Sequence, residues 1–323
     1  MIVTIGLSAV TVFVLGSLGY VFAFRGQARY TGLSEYLRKG WPLFSPFNCL
    51  LYMFTEKRAT KNFANLTDFP ELAEIQANWK TIQKEALDVY NQEYFDRTTD
   101  KDNASHYDLG FRTFYKYGWS KFYITWYGYT HKSSQRLMPE TVKLLENIPT
   151  VNGAMLTTLP PGGKLTRHLD PLACSLRYHL GLKTPDDDRC FINVDGQTYS
   201  WRDGEAMLFD ETYIHFVENQ TDKPRLILMC DVERPMGVMG KIVNFFYKGL
   251  TRLTVVPNTK EDEQGFVNRT FAGLAPLNKK LKGLKESNRA LYLLIKWSIN
   301  LFLLLVLIAI FAGILKLLAL LIT

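Results

Sequence analysis

Residues 189–232 read RCFINVDGQTYSWRDGEAMLFDETYIHFVENQTDKPRLILMCDV, and their punctuation decides the fold. The runs 189–194, 197–201, 205–209, 213–218 and 225–232 are short, apolar or alternating, and parted by Asp195-Gly196, Asp203-Gly204 and Asn219 to Lys223. A period of two fits a half-buried strand, and Asp-Gly or Asn-rich breaks turn one strand back beside the last. Upstream the pattern continues in 151–159 and 174–182, with Pro160-Pro161-Gly162-Gly163 and Pro185-Asp186-Asp187-Asp188 as turns. Short strands at this spacing predict an all-β core, a jelly roll or double-stranded β-helix. Flanking helices are expected: Leu72, Ile75, Trp79, Ile82 and Leu87 recur at helical spacing, and a short helix follows near Glu140 to Glu146. The aromatic stretch from Phe111 to Tyr129 reads either as strand pairing around Gly118 or as the lining of a substrate channel.

Outside this core the composition divides. Hydrophobic residues make up 47% of the 323, too many for a disordered chain. Met1 to Phe24 carries no charge and is followed by Arg25, Arg29, Arg38 and Lys39; Trp297 to Leu315, continuing to Thr323, follows a basic stretch from Lys279 to Lys296. Each run is long enough for a membrane span, and the flanking positive charge places the middle of the chain in the cytoplasm. The expected organisation is a transmembrane helix at 1–24, a juxtamembrane segment at 25–60, a domain at 61–236, a basic amphipathic membrane-proximal segment at 237–296 and a second transmembrane helix at 297–323. In 238–253, Val238, Ile242, Phe245, Phe246 and Leu253 alternate with Lys241, Lys248 and Arg252, which suits a helix in a lipid interface or one packed across the β domain. The net charge of +7 is modest and concentrated in the flanks, so nucleic acid is not expected as a partner. Cys49, Cys174, Cys190 and Cys230 have no close pairing and read as free thiols.

Three of the five histidines, His168, His179 and His215, fall in the β region. In His168-Leu169-Asp170 an extended chain sends imidazole and carboxylate to one face. With His215 from a later strand the set is two histidines and one carboxylate, the ligand type of non-haem Fe(II) oxygenases, although hydrolytic zinc sites share it. Nearby, Ser175, Arg177 and His179 share one face of a strand, and Arg225 opens the apolar run Arg-Leu-Ile-Leu-Met-Cys. A buried guanidinium needs a counter-charge. A bound dicarboxylate supplies one through two parallel hydrogen bonds; Asp203 or Glu218 is the alternative.

In these residues the chain resembles the aspartyl/asparaginyl β-hydroxylase superfamily of Fe(II)/2-oxoglutarate oxygenases, and within it the bacterial lipid A 2-hydroxylases. The resemblance covers roughly residues 65 to 235. It rests on Gly118-Trp119-Ser120-Lys121-Phe122-Tyr123, Leu159-Pro160-Pro161-Gly162, Arg167-His168-Leu169-Asp170-Pro171, Ser175 to Leu182, Tyr199 to Glu205, Phe209 to His215 and Asp231-Val232-Glu233-Arg234-Pro235. It implies that His168, Asp170 and His215 ligate iron and that Arg225 binds the distal carboxylate of 2-oxoglutarate with Thr157 beside it. Arg177 and His179 would hold the end near the metal, and Trp119 would stand at the pocket. No catalytic residue beyond the iron ligands is implied.

The expected activity is that of an Fe(II)/2-oxoglutarate-dependent dioxygenase using O2. Its partner would be lipid A or a lipopolysaccharide precursor, hydroxylated on an acyl chain at the 2-position at the cytoplasmic face of a bacterial inner membrane. Two alternatives stand beside it: hydroxylation of Asp or Asn in a protein or peptide, and a non-enzymatic membrane receptor for a carboxylate ligand.

Overall fold

The structure, a computed structural model, describes residues 2–92, 94–97, 104–106, 108, 110–111, 117–274, 281, 283–299 and 301–302. The chain divides into two compact units, Met1–Arg269 and Thr270–Thr323. In the second unit the described residues 283–287 and 289–299 are helical.

The first unit opens with helices α1 (Ile2–Ala23), α2 (Leu33–Lys39) and α3 (Ser45–Phe54), then the short strand β1 (Phe63–Ala64). Helices α4 (Ala73–Ala77), α5 (Trp79–Asn91) and α6 (Tyr94–Arg97) precede β2 (Ser120–Trp126) and β3 (Tyr129–Thr130). After α7 (Lys132–Leu137) and α8 (Pro139–Glu146) come eight strands. These are β4 (Val151–Leu159), β5 (Lys164–His168), β6 (Ser175–Lys183), β7 (Cys190–Val194), β8 (Gln197–Ser200), β9 (Ala206–Phe209), β10 (His215–Asn219) and β11 (Arg225–Glu233). Helices α9 (Val238–Arg252) and α10 (Phe266–Gly273) follow.

Two antiparallel sheets form a sandwich, in the orders β1-β9-β6-β11-β4-β2-β3 and β5-β10-β7-β8. From β4 to β11 the strands alternate one by one between the sheets, except for the β7–β8 hairpin within the smaller sheet, which is the winding of a double-stranded β-helix. The jelly-roll core read from the turn signals is therefore present. At Asp195-Gly196 both residues have positive φ, 55° and 88°, as the tight hairpin between β7 and β8 requires.

The large sheet is buried on both faces. Its outer face packs Leu176, Tyr178, Leu180, Leu228 and Cys230 against Ile75, Ile82, Ala86 and Val142 of α4, α5 and α8. Its inner face meets the small sheet through Tyr123, Met155, Ile192, Val217 and Ile227. Gly181 marks a close approach: a Cβ there would lie 2.0 Å from the carbonyl oxygen of Arg202, where the chain crosses to β9. All four cysteines are free.

The membrane spans and the inner-membrane location expected from the two ends are corrected here. No helix among the described residues is long and apolar enough to cross a membrane. A span takes about 20 consecutive apolar residues. The far end of the second expected span, 303–323, lies outside the described residues, as do Lys116, Lys279, Lys280 and Lys282.

Candidate active site

His168 and His215 face each other across the small sheet, where β5 and β10 pair them in register. Their rings lie 4.2 Å apart between centroids. Both use Nδ1 in the same way: that of His168 donates to the Thr166 carbonyl and that of His215 to the Tyr213 carbonyl, each at 2.9 Å. A carbonyl only accepts, so Nδ1 carries the proton and Nε2 keeps its lone pair, the usual state of a histidine that ligates metal. Burial holds the His168 imidazole down at about 4 and that of His215 at about 3, so both are neutral at ordinary pH.

Asp170 completes the set. One ligand atom from each of His168, Asp170 and His215 lies within 4.8 Å of the others. β5 ends at His168, so Asp170 stands in the loop beyond it. The strand alternation that suggested the pair does not hold it there. Its amide donates to the Glu211 carbonyl at 2.9 Å, and its Oδ2 accepts from Arg177 Nη2 at 3.0 Å. Oδ1 faces His168 Nε2 at 3.7 Å.

Arg177 is surrounded by acids. Its Nε donates to Glu211 Oε2 at 2.6 Å and its Nη1 pairs with Asp231 Oδ1 at 2.5 Å. Burial opposes the charge, but Asp231, Glu211 and Asp170 keep this guanidinium charged well above its usual range. Burial also pushes Glu211 up to about 7 and Asp231 up to about 6, with Arg177 pulling both the other way. Three carboxylates around one guanidinium leave a surplus of negative charge that a divalent cation would neutralise. The donor set therefore fits such a metal: two neutral imidazoles and a carboxylate, with ligand atoms all within 4.8 Å of one another.

Deeper between the sheets is a second group. Arg225 is fully buried, yet its Nε and Nη1 have no hydrogen-bond partner among the described residues. Its Nη2 donates to Thr157 Oγ1 at 3.3 Å. The indoles of Trp119 and Trp201 flank it at 4.9 Å and 4.4 Å from their ring centroids. Neither expected counter-charge reaches it: Asp203 accepts from the Thr184 amide and Glu218 from Gln220. Burial lowers the guanidinium to about 10. His179 lies between this group and the His168–His215 pair, its ring 6.0 Å from Trp201 and 5.2 Å from Phe209, which in turn is 5.8 Å from His215. Among the described residues, both its ring nitrogens and Trp201 Nε1 lack hydrogen-bond partners.

These orphaned donors fit a dicarboxylate. They ask for an anion at Arg225 and for a hydrogen-bonding group beside His179. The structure thus brings together His168, Asp170 and His215 as one cluster and Arg225, Thr157 and Trp119 as another, with His179 between. Arg177 stands beside Asp170. Trp201, Glu211 and Asp231 received no role from the sequence; Asp231 was findable, since it shares the inward face of β11 with Arg225 at even spacing.

The helices next to the site are unusual. Tyr52 of α3 donates to Thr212 Oγ1 at 3.0 Å, and Asn48 accepts from the Ala173 amide and donates to the Pro171 carbonyl, both at 2.9 Å. A small core joins Leu51 of α3, Val243 and Tyr247 of α9, and Leu172 and Ala173 of the Asp170 loop. On α9 the inward side carries Gly240, Val243, Asn244 and Tyr247, with Gly240 and Asn244 buried. Val238, Ile242, Phe245, Phe246 and Leu250 are exposed, Phe245 at 73%. A cleft of about 840 Å³ between β2, α8 and α9 contains none of the site residues.

A model of the aspartyl/asparaginyl β-hydroxylase family matches residues 76–235. An ornithine lipid ester-linked acyl 2-hydroxylase of Rhizobium tropici is 31% identical over 209 residues, covering 61% of this chain and 71% of that protein. Human aspartyl/asparaginyl β-hydroxylase is 29% identical over 175 residues, 52% of this chain and 22% of that one. Human aspartate β-hydroxylase domain-containing protein 2 is 34% identical over 126 residues, 36% of this chain and 34% of that one. The chain thus spans most of the bacterial relative and about a fifth and a third of the length of the human two.

Proposed function

The chain belongs to the aspartyl/asparaginyl β-hydroxylase family, and on that premise we propose that this hydroxylase depends on Fe(II) and 2-oxoglutarate and oxidises a fatty acyl chain of a polar lipid. Lipid A is the acceptor proposed first, at the carbon next to the acyl carbonyl. The observation that carries the cofactor reading is Arg225, a fully buried guanidinium with two unpartnered nitrogens, reached past a neutral, unpartnered His179 from a two-histidine, one-carboxylate cluster.

In this reading His168, Asp170 and His215 hold the metal. Arg225 and Thr157 clasp the distal carboxylate of the co-substrate, and His179 donates to its near end. Trp119 and Trp201 wall that anion from water, which strengthens the pairing in a low-dielectric site. When bound, the iron and its co-substrate supply activation of O2 and removal of hydrogen from an unactivated carbon. The protein's own part is to place the acceptor carbon and keep water out.

The acceptor class is supported by the outward apolar side of α9, which shares a small core with the loop bearing Asp170. Exposed Phe245 and Phe246 form an apolar surface of the kind that meets a membrane or another apolar partner. They suit a lipid acceptor whose acyl chain must be drawn from among others. The bacterial relative, by its name, acts on an acyl chain of ornithine lipid.

The test is mass spectrometry of lipids from matched cells expressing either the parent or His168→Ala. One added oxygen on a lipid A acyl chain, seen with the parent and lost in the variant, is the expected result. The same gain on an ornithine lipid would move the acceptor within the lipid class. No lipid gain, with 2-oxoglutarate consumed on a peptide acceptor instead, would overturn the lipid reading.

A further inference from the structure

We propose that Arg177 is a positioning residue that aims the metal carboxylate, rather than a clamp for the co-substrate; the inference rests on reading His168, Asp170 and His215 as a divalent-metal site.

Asp170 needs an external hold because β5 stops at His168 and leaves the carboxylate on a loop. The guanidinium of Arg177 provides that hold. Its Nη2 takes Asp170 Oδ2 at 3.0 Å, so the other oxygen is the one turned toward His168 Nε2. A carboxylate fixed by one oxygen is presented to a metal by the other, and its rotation is stopped.

Arg177 is itself fixed from two further sides. Glu211 takes Nε at 2.6 Å, and is tied in turn by Ser175 Oγ at 2.7 Å. Asp231 pairs with Nη1, and its second oxygen accepts from Tyr127 Oη at 3.1 Å. All three sectors of the guanidinium are thus spent on carboxylates. A co-substrate carboxylate arriving there would meet three like charges, whereas His179 and Arg225 offer it unpartnered donors.

The experiment compares full-length parent with Arg177→Met by two measurements. The first is Co(II) titration followed by visible absorption, which reports both affinity and ligand geometry. The second is 2-oxoglutarate binding to metal-free protein, followed by tryptophan emission, since Trp119 and Trp201 border the Arg225 group. The expected result is Co(II) affinity weakened about 10- to 100-fold, with an altered spectrum, while metal-free 2-oxoglutarate affinity stays within about twofold of the parent, the ordinary scatter of a contact not made. Unchanged Co(II) affinity with weakened 2-oxoglutarate binding would overturn the proposal and make Arg177 a co-substrate clamp. A parent that binds no Co(II) would overturn the metal reading on which it rests.

Should Arg177→Met fail to fold, Asp231→Asn decides. It removes a charge that holds Arg177 but touches neither metal nor co-substrate, so weaker Co(II) binding with unchanged 2-oxoglutarate binding supports the relay, and unchanged Co(II) binding refutes it.

Discussion

Arg225→Met should make the ligand-free protein more stable while abolishing its response to a dicarboxylate. Burial lowers this guanidinium well below its ordinary range, to about 10. At 1.36 kcal/mol per unit, that is about 3 kcal/mol against the charged form in the native state. Methionine fills similar space without a charge to desolvate, but forfeits cation–π contacts with Trp119 and Trp201 worth about 1 kcal/mol in all. It also loses the bond to Thr157, worth about 0.5 kcal/mol. The balance is a gain of about 1–2 kcal/mol, a rise of a few degrees in Tm. A base whose native pKa is depressed carries its cost in full below the native value and sheds it only as pH climbs toward the unfolded one. The gain should therefore be constant between about pH 6 and 9. Thermal unfolding with and without 2-oxoglutarate supplies the contrast. At 100 times Kd the ligand stabilises the parent by about 2.7 kcal/mol and Arg225→Met not at all. A variant several kcal/mol less stable than the parent, or one that keeps the ligand shift, would refute the idea that Arg225 is held in reserve for an anion.

Three further outcomes follow from other parts of the structure. Burial alone would raise the Asp210 carboxyl, but Arg234 and Arg25 hold it at about 2; this stabilisation is complete above the unfolded carboxylate value and is lost as pH falls from about 4 to 2. Asp210→Asn should accordingly cost about 3–5 kcal/mol by stranding the buried Arg234 guanidinium, read from denaturant unfolding at neutral pH, with the difference shrinking in acid. Gly181→Ala should cost more than about 3 kcal/mol, because its Cβ would lie 2.0 Å from the Arg202 carbonyl oxygen, and a variant with unchanged Tm would show that the crossing is looser than described. Joint replacement of Phe245 and Phe246 by Asp should leave the unfolding midpoint unchanged, since both are exposed, and should depress hydroxylation of acyl lipid in vesicles far more than that of the same lipid dispersed in detergent; equal loss in both would sink the lipid-surface role of α9.

What the sequence made legible is what period and punctuation encode. Seven of the strands lie close to where turn residues place them, because Asp-Gly and Pro-Gly breaks are local signals. β5 was not among them, although it carries His168: its run Lys-Leu-Thr-Arg-His is amphipathic and partly exposed, so no hydrophobic contrast marks it. The His-x-Asp spacing found a true neighbour relation for a reason other than the one that suggested it. Strand alternation stops at His168, and the pair is kept together by the Glu211 carbonyl and Arg177.

The residues that spacing could not assign are those whose roles depend on competition between partners. Arg177 and Arg225 look equivalent in the sequence, each a cation inside an apolar strand. What separates them is register: β6 sets Arg177 opposite Asp231 on β11, while Arg225, six residues earlier on β11, faces Leu159. One guanidinium is therefore born into a ring of carboxylates and the other into a ring of indoles. A buried charge with its counter-charge in the chain is a structural member; a buried charge without one costs stability until something outside the chain supplies it. That asymmetry, two strand positions deep in the same sheet, is the physical basis for assigning Arg177 to the metal carboxylate and Arg225 to the co-substrate.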